Sequence, residues 1–592
     1  MRTHNPITRS FLWFAILLAA LGPVLSRAQV SVTTWHNDNW RTGQNTSETT
    51  ITTGISDLNF GKLCTITLNL AQYGYEQVYA QPLVVWNGNG MMTVYIATMN
   101  DNVYAYHVPL TWSSCSGVAS SVKTTSLLEP GEEPALCGNI GSTNCYTIGP
   151  TVGVLGTPVI DTQTNTLYVV AESQTKTSPY SFYHRIHALD ATTLAEKFGG
   201  PATIPSLGVS GHPFLSYQLL QRPGLLMTYF GTVYPTLYIG FSMMDQGQPW
   251  PSGWVLAYDA WNLGNNQPLD YIATAPGSSA MGGGIWQGGA GLTFGMDETS
   301  TNYLYFSTAN GDFDLNQQNS PGDMADSFVK LSLNLGTVAG YFTPSDQCYR
   351  EGPGPDLDYG SAGVMLVPDN ALPSPYAYMA IKSDKEDYLW AIDRGSPGGY
   401  TKGACKDQTD GYNCQNNGVP QCLPPWADQN LQYMQAHNNA GAKNSSAPAY
   451  WNGGLYFASR TDQMYLYPLS ANCSPAPICA PTANSNVTNP EGDVLGYSPT
   501  PSVSSNGTSN GIVWVIRTDS REAGGNPAIL YALNAINLHE LYDSDQCKQS
   551  GNYVDQPGDG MKFSVPTVAN GYVIIGTQTD IDIYGALTRT CN

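Results

Sequence analysis

The chain has 592 residues, with 45 acidic against 24 basic side chains and a formal charge of −21. Only 12% of residues are charged, while Gly (61) and Tyr (37) are abundant. That balance suits an all-β extracellular chain rich in turns. It excludes a nucleic-acid binder, which needs a basic face, and a protein held on anionic lipid by charge.

Residues 1–28 read as a secretory signal. Arg2 and Arg9 make a positive start, residues 11–25 (FLWFAILLAALGPVL) are apolar, and Ser26-Arg27-Ala28 is a small-x-small cleavage site, so cleavage is expected before Gln29. The apolar run is short for a membrane span, and no later stretch approaches one. Removal of Arg2, Arg9 and Arg27 takes no acid with it, moving the charge from −21 to −24. All twelve cysteines follow residue 28 and none forms Cys-x-x-Cys. An even count behind an export signal predicts disulfides in an oxidising, secreted or periplasmic compartment. Cys137/Cys145 and Cys473/Cys479 are the easiest local pairs; connectivity elsewhere stays open.

One strand pattern then recurs eight times. An entry segment carries Pro or a small residue, a strongly apolar strand follows, and a third strand closes in a small-apolar-Asp or similar turn. The first copy reads Gln81-Pro82-Leu83-Val84, Val94-Tyr95-Ile96-Ala97, Val103-Tyr104-Ala105. The second has Thr157-Pro158-Val159, Leu167-Tyr168-Val169 and Ala188-Leu189-Asp190; the third has Gln221-Arg222-Pro223, Leu237-Tyr238-Ile239 and Leu256-Ala257-Tyr258-Asp259. The fourth and fifth enter at Gly288-Gly289 and at Gly360-Ser361-Ala362-Gly363. The sixth to eighth contain Leu455-Tyr456-Phe457, Val513-Trp514-Val515 and Tyr572-Val573-Ile574. The 564 residues after the signal (592 − 28) divide into eight units of about 70, the size of a propeller blade of three or four strands with loops. The fold class expected is therefore all-β, a single eight-bladed β-propeller over residues 29–592. Residues 30–70 are expected to add a strand to the last blade and close the ring. Residues 395–447, with Cys405, Cys414 and Cys422, are expected to be a disulfide-held loop excursion.

Four stretches resemble a group of secreted bacterial proteins of the PQQ-like, quinoprotein alcohol dehydrogenase-like propeller family. They are Trp35-His36-Asn37-Asp38-Asn39-Trp40-Arg41-Thr42-Gly43, Tyr79-Ala80-Gln81-Pro82, Gly284-Ile285-Trp286-Gln287-Gly288 and Val565-Pro566-Thr567-Val568. The resemblance implies candidate positions for pyrroloquinoline quinone and Ca2+. Trp286 stands where the quinone-stacking Trp would be, Asn310 and Asp358 where metal ligands would be, Asp358 also as the catalytic base, and Lys385 as the cation contacting the quinone. Hard oxygen ligands suit Ca2+, and a carboxylate near an alcohol proton can act as base. Two family features are missing. No two cysteines are adjacent, and where a metal-binding Glu is expected the nearest residues are Asp245 and Gln248.

The reading favoured is a secreted propeller that binds a small molecule, glycan or protein and performs no quinone chemistry. The alternatives are a quinoprotein dehydrogenase of an alcohol or sugar, and a polysaccharide-active enzyme whose paired carboxylates meet from distant blades. The run His36-Asn37-Asp38-Asn39 reads as a turn whose side chains satisfy backbone groups. His184 and His187, three apart in a strand, point to opposite faces and make a poor metal pair.

Overall fold

The structure is a computed structural model. It describes all residues except 1–28, 69–72, 75, 141–147, 231–233, 244–250, 278–279, 316–321, 351–356, 402–414, 417–418, 421–429, 437–443, 461, 486–498, 519–526 and 592, and not the side chains of 348–349, 415–416 and 419–420.

Eight antiparallel sheets of four principal strands form the blades. The innermost strands, each first in sequence among the four principal strands of its blade except in blade eight, are Leu83–Trp86, Val159–Asp161, Leu226–Thr228, Thr293–Met296, Val364–Leu366, Ala449–Trp451, Ser502–Asn506 and Thr567–Ala569. Blade eight takes its outermost strand, Phe60–Thr67, from the N-terminal segment, which pairs with Asp580–Ala586. The expected ring closure is thus observed. Two disulfides flank the seam: Cys64–Cys115 joins that borrowed strand to a loop of blade one, and Cys547–Cys591 joins the segment after blade seven to the C-terminal tail. Cys473–Cys479 is bonded as expected from spacing, whereas Cys145, Cys405, Cys414 and Cys422 fall outside the described residues.

Period-two patterning drives this architecture. In the strand Thr166–Thr175 of blade two, Leu167, Val169 and Ala171 point into a core shared with Tyr95 and Val103 of blade one. The alternating Tyr168 and Val170 point into a core shared with Leu237, Ile239 and Phe241 of blade three. A strand covered on both faces reads as a continuous apolar run, and each fully buried side chain of this size is worth about 1.5–3 kcal/mol. One such core lies between each neighbouring pair of blades around the ring. The core between blades eight and one, with Ile574 and Tyr572 against Val94 and Ile96, completes the circle.

Tyrosines in the second strands bolt five of the eight blades to the next. The hydroxyls of Tyr95, Tyr168, Tyr238 and Tyr456 donate to the carbonyls of Ala191, Ala260, Leu333 and Ala535 at 2.7, 2.9, 2.8 and 2.8 Å. Each acceptor lies just beyond the third strand of the following blade, and Tyr572 closes the series onto Pro109 of blade one at 2.7 Å. Where blade five follows blade four the bolt runs the other way: Arg394, fully buried, donates to the carbonyl of Met296 at 2.8 Å.

Three details differ from the sequence reading. The Gly288-Gly289, Gly360–363 and Gln221-Arg222-Pro223 segments are connectors that precede the inner strands Thr293–Met296, Val364–Leu366 and Leu226–Thr228. Gly and Pro offer a ladder little, so the pairing begins only where β-branched and larger apolar residues resume. Residues 395–447 are more than an excursion, because Gln432–Gln435 within them is the outer strand of blade five and Gly399–Tyr400 pairs with the edge of blade four. Blade two is extended by Glu132–Leu136, which pairs with its second strand. Among the described residues no helix is long and apolar enough to cross a membrane.

Candidate functional site at the entry face

All inner strands run the same way through the ring, so the molecule has an entry face, where they begin, and an exit face, where they end. Trp286 and Asp358 lie on connectors leading into the inner strands of blades four and five. Asn310 follows the second strand of blade four, and Lys385 sits in the turn between Met379–Ser383 and Tyr388–Asp393 of blade five. A second strand runs antiparallel to the first, so its end returns to the entry face. All four residues therefore share that face.

Three of them are joined directly. Asp358 Oδ2 accepts from Lys385 Nζ, and Asp358 Oδ1 accepts from the backbone N–H of Asn310 at 3.2 Å. The Lys385 N–H donates to the Asp358 carbonyl at 3.4 Å. The two charged side chains are 13% and 15% exposed, so solvent reaches the pair. The carboxamide Oδ1 of Asn310 is buried without a hydrogen-bond partner.

The platform beneath is rigid and charged. Tyr359 donates its N–H to Asp326 Oδ1 at 3.0 Å. Lys382, fully buried, stands 3.6 Å from the Tyr359 ring centroid and donates to the Tyr359 and Ser383 carbonyls. Burial pulls the Lys382 ammonium down to about 7, against the pull of Asp384. Arg350 bonds Asp346 at 2.9 Å, Asp384 at 3.1 Å and Glu386 at 2.7 Å. Burial opposes its charge, but these carboxylates win and hold its pKa well above the ordinary value.

Trp286 belongs to an adjoining cluster. It packs on an apolar group that includes Tyr79, Leu220 and Phe563, the connectors of blades one, three and eight. Residues from opposite sides of the ring meet there, which places it over the ring centre. Arg222 is its keystone, buried to 1%, with its guanidinium carbon 4.6, 5.5 and 5.8 Å from the ring centroids of Phe563, Trp286 and Tyr79. It donates to the Gly288 carbonyl at 3.2 Å, and burial lowers its pKa to about 10. The turn Gln287-Gly288-Gly289 is left-handed throughout (φ 51, 60 and 93°), and a Cβ on Gly288 would lie 2.4 Å from the Ser445 carbonyl of the blade-six connector. In the sequence Arg222 stands only as part of the entry segment Gln221-Arg222-Pro223, with nothing to mark its place at the ring centre.

The described residues do not by themselves make a site for quinone and Ca2+. A calcium site needs several charged or carbonyl oxygens turned on one ion. Here the carboxylate of Asp358 is neutralised by Lys385, and among the described residues no group of three His, Cys, Asp or Glu is placed to hold a metal. A face of Trp286 is met by the Arg222 guanidinium. Asp245 and Gln248 lie outside the described residues. The other motifs resolve as structure. His36 sets Nδ1 and Nε2 at 2.7 and 2.8 Å from the carbonyls of Arg41 and Pro501. His184 and His187 face separate carboxylates, Glu172 and Glu196.

No family model and no curated protein matches the chain. Among solved structures, a quinohemoprotein alcohol dehydrogenase from Pseudomonas putida HK5 is similar, with a TM-score of 0.54 and 12% identity over 95% of this chain and 81% of that one. Sqt1 of Saccharomyces cerevisiae gives 0.44 and 10% identity over 90% and 100% of the two chains. BamB of Moraxella catarrhalis gives 0.30 and 9% over 71% and 93%. At 12% identity the likeness to the dehydrogenase is one of fold.

Proposed function

We propose that this chain, sharing its eight-bladed fold with a quinohemoprotein alcohol dehydrogenase, is an exported ligand-binding propeller that performs no quinone chemistry. The observation that supports it is the state of Asp358. A general base must turn its carboxylate toward the proton it takes, within hydrogen-bond reach, whereas this one is held as half of an ion pair. Both Asp358 oxygens are engaged, one by the Asn310 N–H and one by the Lys385 ammonium. What the trio offers is recognition. Lys385 presents donors, and Asn310 Oδ1 is a buried acceptor without a partner. Leaving such an acceptor unmade costs about 1–3 kcal/mol, which a ligand hydroxyl or amide would recover. The three disulfides among the described residues support folding in an oxidising compartment after export.

The test is reconstitution with pyrroloquinoline quinone and Ca2+, followed by absorbance and by dye-linked oxidation of alcohols and sugars. The expected result is no saturable quinone binding and no oxidation. Micromolar, Ca2+-dependent binding that disappears in Asp358→Ala would overturn the proposal and establish the dehydrogenase reading.

A further inference from the structure

The N-terminal segment, residues 30–48, enters the ring from the exit face, loops at its centre and leaves by the same face. Gln29 and Ser31 are exposed at one end and Thr46 and Ser47 at the other, whereas Val32, Trp35, His36, Arg41 and Thr42 between them are buried. Along this path the segment hydrogen-bonds to all eight blades. Val32 exchanges both backbone bonds with Val84 of blade one at 2.8 Å, and the Thr33 carbonyl accepts from the Ile160 N–H of blade two at 2.8 Å. Asn39 Nδ2 donates to the Met227 carbonyl of blade three at 3.0 Å. The carbonyls of Asn39, Trp40, Thr42 and Gly43 accept from the N–H groups of Phe294, Leu366, Tyr450 and Val503, on the inner strands of blades four to seven, at 3.0, 2.8, 2.8 and 2.8 Å. Asn45 Nδ2 donates to the Val568 carbonyl of blade eight at 2.9 Å. We propose that the interior of the ring is a peptide-binding surface, and that residues 30–48 are its ligand, carried in cis but able to bind as a separate chain.

The geometry of a propeller explains why a looped peptide fits. Each first strand turns one edge toward the ring axis, and a bare edge invites another chain. No straight strand can serve eight edges that converge on one axis. A looped segment can, by giving one or two bonds to each blade in turn. The loop requires left-handed backbone at His36, Asn37, Arg41 and Gly43 (φ 56, 74, 62 and 71°). Non-glycine residues stay in that region only where their surroundings hold them. Arg41 does much of the holding. Fully buried, it donates to the carbonyls of Leu225 and Leu292 of the ring at 3.2 and 2.9 Å. It also donates to Thr34 Oγ1 and to the Trp35 carbonyl of its own loop at 2.6 and 2.9 Å. One side chain therefore shapes the loop and fastens it to blades three and four.

The ring is shaped to receive this segment. A Cβ on Gly291 would lie 2.6 Å from the Arg41 guanidinium, and one on Gly224 would lie 2.9 Å from the Trp35 Cβ. Only glycine lets these two connectors close on the loop. Trp35, at the apex, packs with Ala290, Ala447 and Val565 from the connectors of blades four, six and eight. It thereby closes the channel beneath the Trp286 and Arg222 cluster. At the exit face Val30 donates its N–H to Asn570 Oδ1 at 2.8 Å, and Glu48 Oε2 accepts from the Gly571 N–H at 2.9 Å. Main-chain bonds to sheet edges, with side chains seated in fitted gaps, are the pattern by which extended peptides are recognised. The covalent link adds an effective concentration of about millimolar for a short tether. An outside peptide therefore competes only after that link is cut or the anchor weakened.

The test uses the chain from Gln29 onward with a protease site inserted between Thr53 and Gly54, in the exposed link to the strand Phe60–Thr67. Cutting follows folding, so the segment is present while the ring forms. The cut segment, residues 29–53, is expected to stay with the ring through native gel filtration. A fluorescein-labelled peptide of residues 29–53, in excess, should replace it saturably at one site per ring. The same peptide with Arg41→Ala should bind at least tenfold more weakly, and a scrambled peptide should not bind. The uncut ring should refuse the labelled peptide. Full-length Arg41→Ala gives a second reading without any cut, because its ring should admit the labelled native-sequence peptide. Loss of the cut segment during native gel filtration would overturn the proposal, whether the ring then persisted or unfolded. So would exclusion of the labelled peptide from both the cut ring and the Arg41→Ala ring, or equal binding of the native-sequence and Arg41→Ala peptides. The quinone titration reads the entry face, so the two proposals fail separately.

Discussion

The hydroxyl of Tyr168 in blade two donates to the carbonyl of Ala260 in blade three across 2.9 Å of buried interface. The same relationship recurs at four other blade junctions through Tyr95, Tyr238, Tyr456 and Tyr572. Removing one such hydroxyl strands a buried carbonyl at a cost of about 1–2 kcal/mol. Tyr305 occupies the equivalent place in blade four, yet its buried hydroxyl has no hydrogen-bond partner. Tyr168→Phe and Tyr238→Phe are therefore expected to lower the urea midpoint measurably, and Tyr305→Phe to leave it level or raise it. Equal losses in all three would refute the bolt.

Asp387 gives the stability a pH dependence. Burial raises its carboxyl from 3.8 to about 7, with Ser459 opposing and Asp384 and Asp462 reinforcing the rise. A carboxyl raised in the folded state favours folding below its unfolded pKa, and that advantage is lost as pH climbs through the folded value. The window here runs from about pH 4 to about pH 7. Asp387→Asn, which cannot ionise, should gain stability over the native chain between pH 4.5 and pH 8 by up to ~3 kcal/mol. Denaturation at the two pH values reads the difference directly; a constant offset would show that Asp387 does not titrate in this range.

Gly43 is irreplaceable for two reasons at once. Its φ is +71°, and an added Cβ would fall 2.2 Å from His36 Nε2. His36 is the side chain that ties the N-terminal turn to Pro501 of the blade-seven connector. Gly43→Ala is expected to cost about 2–4 kcal/mol through strain and overpacking. A thermal melt indistinguishable from that of the native chain would contradict this account.

The disulfides should differ in what they contribute. Cross-linking residues 44 apart, as Cys547–Cys591 does, restricts the unfolded chain by about 4 kcal/mol, against about 2 kcal/mol for the 6-residue separation of Cys473–Cys479. Paired Cys→Ser substitutions, compared by denaturant midpoint without reductant, should rank in that order. The reverse order would mean that native-state strain outweighs loop length.

The fold was legible because each blade repeats one pattern and period-two alternation survives even in strands buried on both faces, as Leu167 and Tyr168 show by entering different cores. The closing strand Phe60–Thr67 could be anticipated because a ring with a spare N-terminal segment has one place to put it. The site was legible in part. Asn310, Asp358 and Lys385 meet, because matching ends of matching strands share a face. The role of Arg222 was not legible, since its partners Tyr79, Trp286 and Phe563 come from three other connectors far apart in sequence.

The borrowed strand sets a schedule for biogenesis. Thr65 and its partner Asp582 are 517 residues apart. At about 5–20 residues per second of synthesis, the N-terminal strand waits roughly half a minute to two minutes for its neighbour. Over that interval the blades accumulate as an open arc with a bare edge at each end, the condition most prone to pairing with another chain. A ribosome stall or a truncation before blade eight would therefore release a sticky crescent, and such fragments should accumulate with holding chaperones.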